Sequence, residues 1–138
     1  MELIKELPAL GRDLGPGLIL IGLTSLAAIL VGCLFEEWES LPWMASATVS
    51  LCGIGLLLRF LPKTSKVPRT STSIAATALV WVIVGLCGSL PFLFTGMSFL
   101  DAAFESMSAW TGTGFSVVAD IESWPKTLLF WRSFMQWV

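Results

Sequence analysis

The sequence predicts an all-α membrane protein: three transmembrane helices, one re-entrant helix followed by a loop at membrane depth, and the start of a fourth transmembrane helix. Three observations carry this. Of 138 residues 55% are hydrophobic and only 13% charged, where a soluble domain carries about 25% charged. The charges cluster, leaving uncharged runs of 22 residues (Leu14–Phe35), 19 (Ser40–Leu58) and 31 (Thr70–Leu100). A bilayer core needs about 20 apolar helical residues per crossing, and these runs have no charged face with which to meet water. Finally, a short helical pattern after Ser98 ends in Thr-Gly-Thr-Gly-Phe, Thr111–Phe115, a run no helix favours.

Residues 1–13 read as a mixed-charge arm. The first helix is expected after Gly15-Pro16, with the proline where a missing N–H costs least. Acids in the flank and a run longer than a signal core make Leu14–Phe35 a retained span. The second helix starts near Leu41-Pro42 and ends within Arg59–Lys63, where Pro62 stops it and the Arg59 side chain can reach back to the interface; residues 14–62 form this leading pair. Residues 63–72 read as a polar linker, and residues 73–138 as a helix–loop–helix repeat. The third run is too long for one span, and Gly88–Phe92 and Thr95–Ser98 supply its break and turn.

The loops orient the chain. Arg59, Lys63, Lys66 and Arg69 lie in a connection without acids, whereas Glu36, Glu37 and Glu39 fill the previous one. Basic short loops mark the cytoplasmic side, so the N-terminus is cytoplasmic and the first helix runs outward. Trp38, Trp43 and Trp124 then fall near the outer boundary, where indoles suit the headgroup level.

Ser98 and Asp101 make a capping-box pattern. Leu100, Ala103, Phe104 and Met107 follow as an apolar stripe, with Asp101, Glu105 and Ser108 on another face. A helix of about twelve residues is some 18 Å long, too short to cross. The polar stretch Ala119–Lys126 returns the chain to water before a last apolar segment from Thr127. Entry and exit on one side make a re-entrant hairpin.

Non-helical backbone at membrane depth must be buried in protein or line a watery path. The glycines permit positive φ, and a row of inward carbonyls replaces the hydration shell of a monovalent cation. The carboxyl end of the short helix adds negative potential at the same place. The expected ion-binding strand is Thr111, Gly112, Thr113, Gly114 and Phe115, with K+ held by the carbonyls of Thr111, Gly112, Thr113 and Gly114. Supporting positions are Glu105, Trp110 and Arg132. Glu105 either braces the strand by accepting backbone N–H bonds or faces a watery vestibule. Arg132 is either an interfacial side chain or a partner of the strand. Trp110 packs the hairpin in place, and Asp101 is a helix cap.

Gly88–Val118 followed by Trp124–Trp137 resembles the first pore repeat of the Trk/Ktr/HKT superfamily of potassium uptake proteins, on the TrkH side, where two helices precede that repeat. The family commonly reads Thr-Thr-Thr-Gly at the filter; here Thr111-Gly112-Thr113-Gly114 places Gly114 on the characteristic glycine and Gly112 in place of a threonine. The resemblance implies potassium transport in the plasma membrane, and four fused repeats around one pore, of which this chain is an N-terminal fragment. It further implies the remaining repeats, a homodimer and a cytoplasmic nucleotide-binding regulatory subunit as partners beside the lipid bilayer.

Other classes fit less well. A small accessory membrane protein could use Gly and Thr merely to pack helices. An intramembrane enzyme needs ionisable groups at depth, and Asp101 and Glu105 are the only candidates. Cys33, Cys52 and Cys87 lie apart in apolar runs without histidine, so neither disulfides nor zinc are expected. No cofactor motif is present, and a net charge of −2 offers nucleic acid no surface.

Overall fold

A computed structural model describes residues 14–61 and 70–137. The expected arm 1–13 and most of the basic linker, including Lys63, Lys66 and Arg69, lie outside the described residues.

Every regular element among the described residues is helical. Helix α1 runs Leu14–Leu34, so the chain is already helical at Leu14 and Pro16 sits within the first described turn. A local break falls at Ser25. Its hydroxyl donates back to the Gly22 carbonyl at 2.6 Å and pairs with Thr48 Oγ1 at 2.5 Å, tying α1 to its neighbour. Helix α2 is Leu41–Arg59, with Pro42 in its first turn. The two helices come backbone to backbone at Gly15 and Gly55, where a Cβ on either would lie 2.7 Å from the other's carbonyl oxygen. Small residues permit such approach between apolar helices, where dispersion and not water exclusion drives association.

Helix α3 is Thr70–Ser89, which corrects the expected linker boundary: residues 70–72 are helical, and Thr72 is buried. The chain tightens into a 3-10 helix, Leu90–Thr95, around Pro91. The whole of Thr70–Thr95 is 26 residues and apolar enough to span. Gly96 stops it with φ 78°, a conformation a Cβ would penalise.

Helix α4, Phe99–Trp110, is the short element. The first half of its N-terminal box is made, with Ser98 Oγ accepting from the Asp101 N–H at 3.2 Å, and the same hydroxyl donates to Asp101 Oδ2 at 2.8 Å. Its buried face is Ala102, Glu105, Ser106 and Ala109, while Leu100 is 79% exposed and Phe104 45%. Leu100 and Phe104 of the apolar stripe therefore point away from the packed interior, while Met107 lies against Gly85 of α3. Lipid accepts such a face, whereas the carboxylate must be sheltered by protein. Helix α5 is Lys126–Met135.

Helix α4 packs against α3 and α5, and α5 crosses the second half of α1. The α1–α2 loop, Phe94 of the 3-10 helix and Pro125 before α5 line one open cleft of about 440 Å³. The two ends of the segment containing α4 thus lie at the same end of the bundle. The far end of α4 stops mid-bundle, where Trp110 joins Ile21, Val80, Trp81 and Val84 around a second cavity of about 220 Å³. Trp124, expected near the outer boundary, is buried with its ring 5.4 Å from Phe92, because the return from the loop folds over the 3-10 helix.

Candidate functional site

The strand Thr111–Phe115 begins where α4 ends. Thr111 caps the helix with αR angles, its N–H still bonded to the Met107 carbonyl. Gly112 and Gly114 then take φ 68° and 72°, so left-handed glycines follow Thr111 and Thr113 in turn. Neither site is crowded: nothing lies within 4 Å of a Cβ built on Gly112, and only Gln136 Nε2, at 3.9 Å, near one on Gly114. Conformation alone makes these glycines, since L side chains pay on the order of 1–2 kcal/mol in this region.

Helix α4 holds the strand from behind. The Gly114 N–H donates to the Ser108 carbonyl at 3.2 Å, and Thr113 Oγ1 donates to the same oxygen at 3.1 Å. Ser108 Oγ donates to the Phe115 carbonyl at 2.6 Å, and Thr111 Oγ1 to the Met107 carbonyl at 2.7 Å. The threonine hydroxyls are thus directed at the protein. Among the described residues, the carbonyls of Thr111, Gly112 and Thr113 accept no hydrogen bond, and all five strand residues are exposed.

The carbonyl of Gly114, counted with those three in the sequence-based expectation, has a protein partner. Arg132 Nη2 donates to it at 3.1 Å and to the Phe115 carbonyl at 3.2 Å. A carbonyl oxygen has two lone pairs, so Gly114 keeps one for another ligand. Its position, however, is set by the guanidinium.

Glu105 is wholly buried. One carboxylate oxygen accepts from Ser116 Oγ at 2.5 Å and from the Val117 N–H at 2.8 Å; the other accepts from Arg132 Nε at 3.0 Å. Of the two roles open for it, the geometry has Glu105 gripping backbone just past the strand. Arg132 is paired with the strand region and not with the interface, its side chain 13% exposed. Ser116 also receives the Val118 N–H at 3.0 Å; sequence reasoning missed this residue, and a hydroxyl eleven residues from a carboxylate carries no local signal. Trp110 lies edge-on to Trp131, centroids 6.2 Å apart, and Trp131 Nε1 donates to the Gly88 carbonyl at 3.1 Å.

Asp101 stays at the α4 cap, on the partly exposed surface. Among the described residues no group of three or more His, Cys, Asp or Glu could hold a metal ion. What the strand offers a cation is backbone oxygen, unpaired on one side and fixed by a helix and an arginine on the other.

Three apolar spans and a half-crossing helix that ends in a carbonyl-bearing strand define a multi-pass membrane protein built around a re-entrant hairpin. Comparison places it more narrowly. The TrkH family of cation transport proteins matches residues 43–138, and the chain belongs to that family. It is 34% identical over 137 residues to an uncharacterised cation transporter of Methanocaldococcus jannaschii, covering 97% of this chain and 28% of the relative. It is 37% identical over 134 residues to the Trk system potassium uptake protein TrkH of Halomonas elongata, covering 92% and 27%. The crystal structure of the potassium transporter TrkH from Vibrio parahaemolyticus superposes with a TM-score of 0.83 at 32% identity, over 94% of this chain and 28% of that one. The chain thus spans little more than a quarter of the length of these relatives.

Proposed function

We propose that this chain supplies two leading helices and the first helix–pore–helix repeat of a Trk-type potassium uptake protein, and that the carbonyls of Thr111, Gly112, Thr113 and Gly114 line the ion path. The observation that carries the reading is the pair of left-handed glycines at the end of the half-crossing helix, with three carbonyls that have no hydrogen-bond partner among the described residues. Such oxygens can replace the hydration shell of a monovalent cation without a fixed carboxylate. The C-terminal partial charge of α4 lies beside them.

One strand gives part of a ring. The remaining repeats of a longer protein would close it, and they would cover the exposed side of the strand, since polar backbone facing lipid costs several kcal/mol per group. The bases of the linker favour a cytoplasmic N-terminus, and the family resemblance implies the plasma membrane. By family resemblance, a second copy and a cytoplasmic nucleotide-binding subunit complete the assembly.

The test is a pair of substitutions, Gly112→Ser and Gly114→Ser, in the complete transporter carrying this segment. Both should strain the strand by on the order of 1–2 kcal/mol. Gly114→Ser should also displace the oxygen that Arg132 holds, lowering the ratio of K+ to Na+ uptake about tenfold. Unchanged selectivity in both variants, at matched expression, would leave Thr111–Phe115 a packing turn and favour a non-conducting membrane protein.

A further inference from the structure

Helix α5 begins at a residue that cannot cap it: Pro125 makes no side-chain cap bond. The cap comes from about ninety residues earlier in the chain. Glu37, in the α1–α2 loop, accepts the Lys126 N–H on Oε1 at 2.7 Å. Its Oε2 accepts the Thr127 N–H at 2.8 Å and the Thr127 hydroxyl at 2.6 Å. A carboxylate at this end of a helix satisfies free N–H groups and opposes the helix dipole. The loop is built to present it. Glu36 takes φ 57°, an unusual conformation for a residue with a Cβ. The Glu37 N–H donates to the Gly32 carbonyl at 2.9 Å, and its own carbonyl accepts from Ser40 N–H at 3.1 Å and Ser40 Oγ at 2.8 Å. Both backbone groups of Glu37 are therefore held while its side chain reaches across.

Arg132 lies five residues beyond Thr127, roughly 7.5 Å along the α5 axis, and on it hang the carbonyls of Gly114 and Phe115. We infer that Glu37 is a positioning residue: the α1–α2 loop clamps the start of α5, and through Arg132 and Glu105 it sets the Thr111–Phe115 strand. The leading helix pair, which contributes no residue to the strand, thereby gains a task in shaping it. What this means for ion passage rests on the reading proposed above. The clamp itself does not, so the two can fail separately.

The experiment is amide hydrogen exchange on the complete transporter carrying this segment, in lipid nanodiscs with no added potassium, for wild type, Glu37→Gln, Glu37→Ala and Thr127→Val. Glu37→Ala should speed exchange at Lys126 and Thr127 about tenfold, the scale of a lost helix cap. It should also speed exchange at Val117, whose N–H binds Glu105, by roughly threefold, while Leu51 in α2 stays unchanged. Glu37→Gln, which keeps acceptor oxygen without the charge, and Thr127→Val should show the same ordering with smaller factors, and they carry the test if the alanine variant does not fold. Faster exchange at Lys126 and Thr127 with Val117 unmoved would confine Glu37 to a local cap and overturn the proposal. Equal acceleration at Leu51 would overturn it too, since Glu37 would then support the fold as a whole.

Discussion

Glu105 and Arg132 form one ion pair, Oε2 to Nε at 3.0 Å, and each also holds backbone between Gly114 and Val117, Glu105 through Oε1 and Arg132 through Nη2. The carboxylate draws in an N–H and the guanidinium draws in two carbonyls. A fully buried carboxylate in an apolar protein is costly unless its charge and lone pairs are matched. Here they are, and the match holds the strand from two helices at once.

Breaking this pair from one side should be expensive. Glu105→Gln is expected to lower stability in detergent by about 3 kcal/mol, because Arg132 then keeps its charge without a counter-charge. A double-mutant cycle with Arg132→Gln should give a coupling near 2 kcal/mol. Additive losses would mean the two residues act independently.

Arg132→Lys separates charge from geometry. Lysine preserves the cation but offers one compact ammonium where arginine presents a planar fork. In the complete transporter the variant should assemble normally yet lose about tenfold in the ratio of K+ to Na+ uptake. Wild-type selectivity with lysine would show that charge alone suffices and that the bonds to Gly114 and Phe115 are incidental.

Glu37 should make stability depend on acid. Burial alone would raise its pKa, but the hydrogen bonds from Thr127 and Lys126 and the nearby Lys126 charge outweigh that and hold it below the ordinary 4.5. A depressed folded-state pKa contributes stability that is present above 4.5 and is lost as pH falls through the lower folded value. Thermal unfolding followed from pH 7 downward should therefore show an acid-side loss in wild type that is reduced in Glu37→Gln. Identical profiles for the two proteins would remove Glu37 as its source.

Topology can be read by labelling. Single cysteines at Lys66 and Ser123, in a background lacking Cys33, Cys52 and Cys87, should differ toward an impermeant thiol reagent applied to intact cells. Ser123 should react and Lys66 should not, following the placement of basic loops inside. Reaction of both, or of Lys66 alone, would reverse or reject the proposed orientation.

The sequence by itself determined whatever depends on neighbours along the chain. Three uncharged runs of span length became three helices long and apolar enough to cross. Ser98 and Asp101 are three residues apart, so their mutual cap was legible. The alternation of Thr with Gly foretold the left-handed backbone at Gly112 and Gly114, because backbone preference is a property of the residue itself. Only the tertiary structure decided which partners distant residues take. It chose the strand over the interface for Arg132, and backbone gripping over a watery vestibule for Glu105. It buried Trp124 under the returning loop and turned Leu100 and Phe104 of α4 outward. It also placed Glu37 on a helix that starts 89 residues later. In a chain that can offer apolar faces to lipid as readily as to itself, hydrophobic pattern says where helices lie but not which face looks inward. That choice falls to the few polar groups that must find one another, and their meeting depends on how the helices pack.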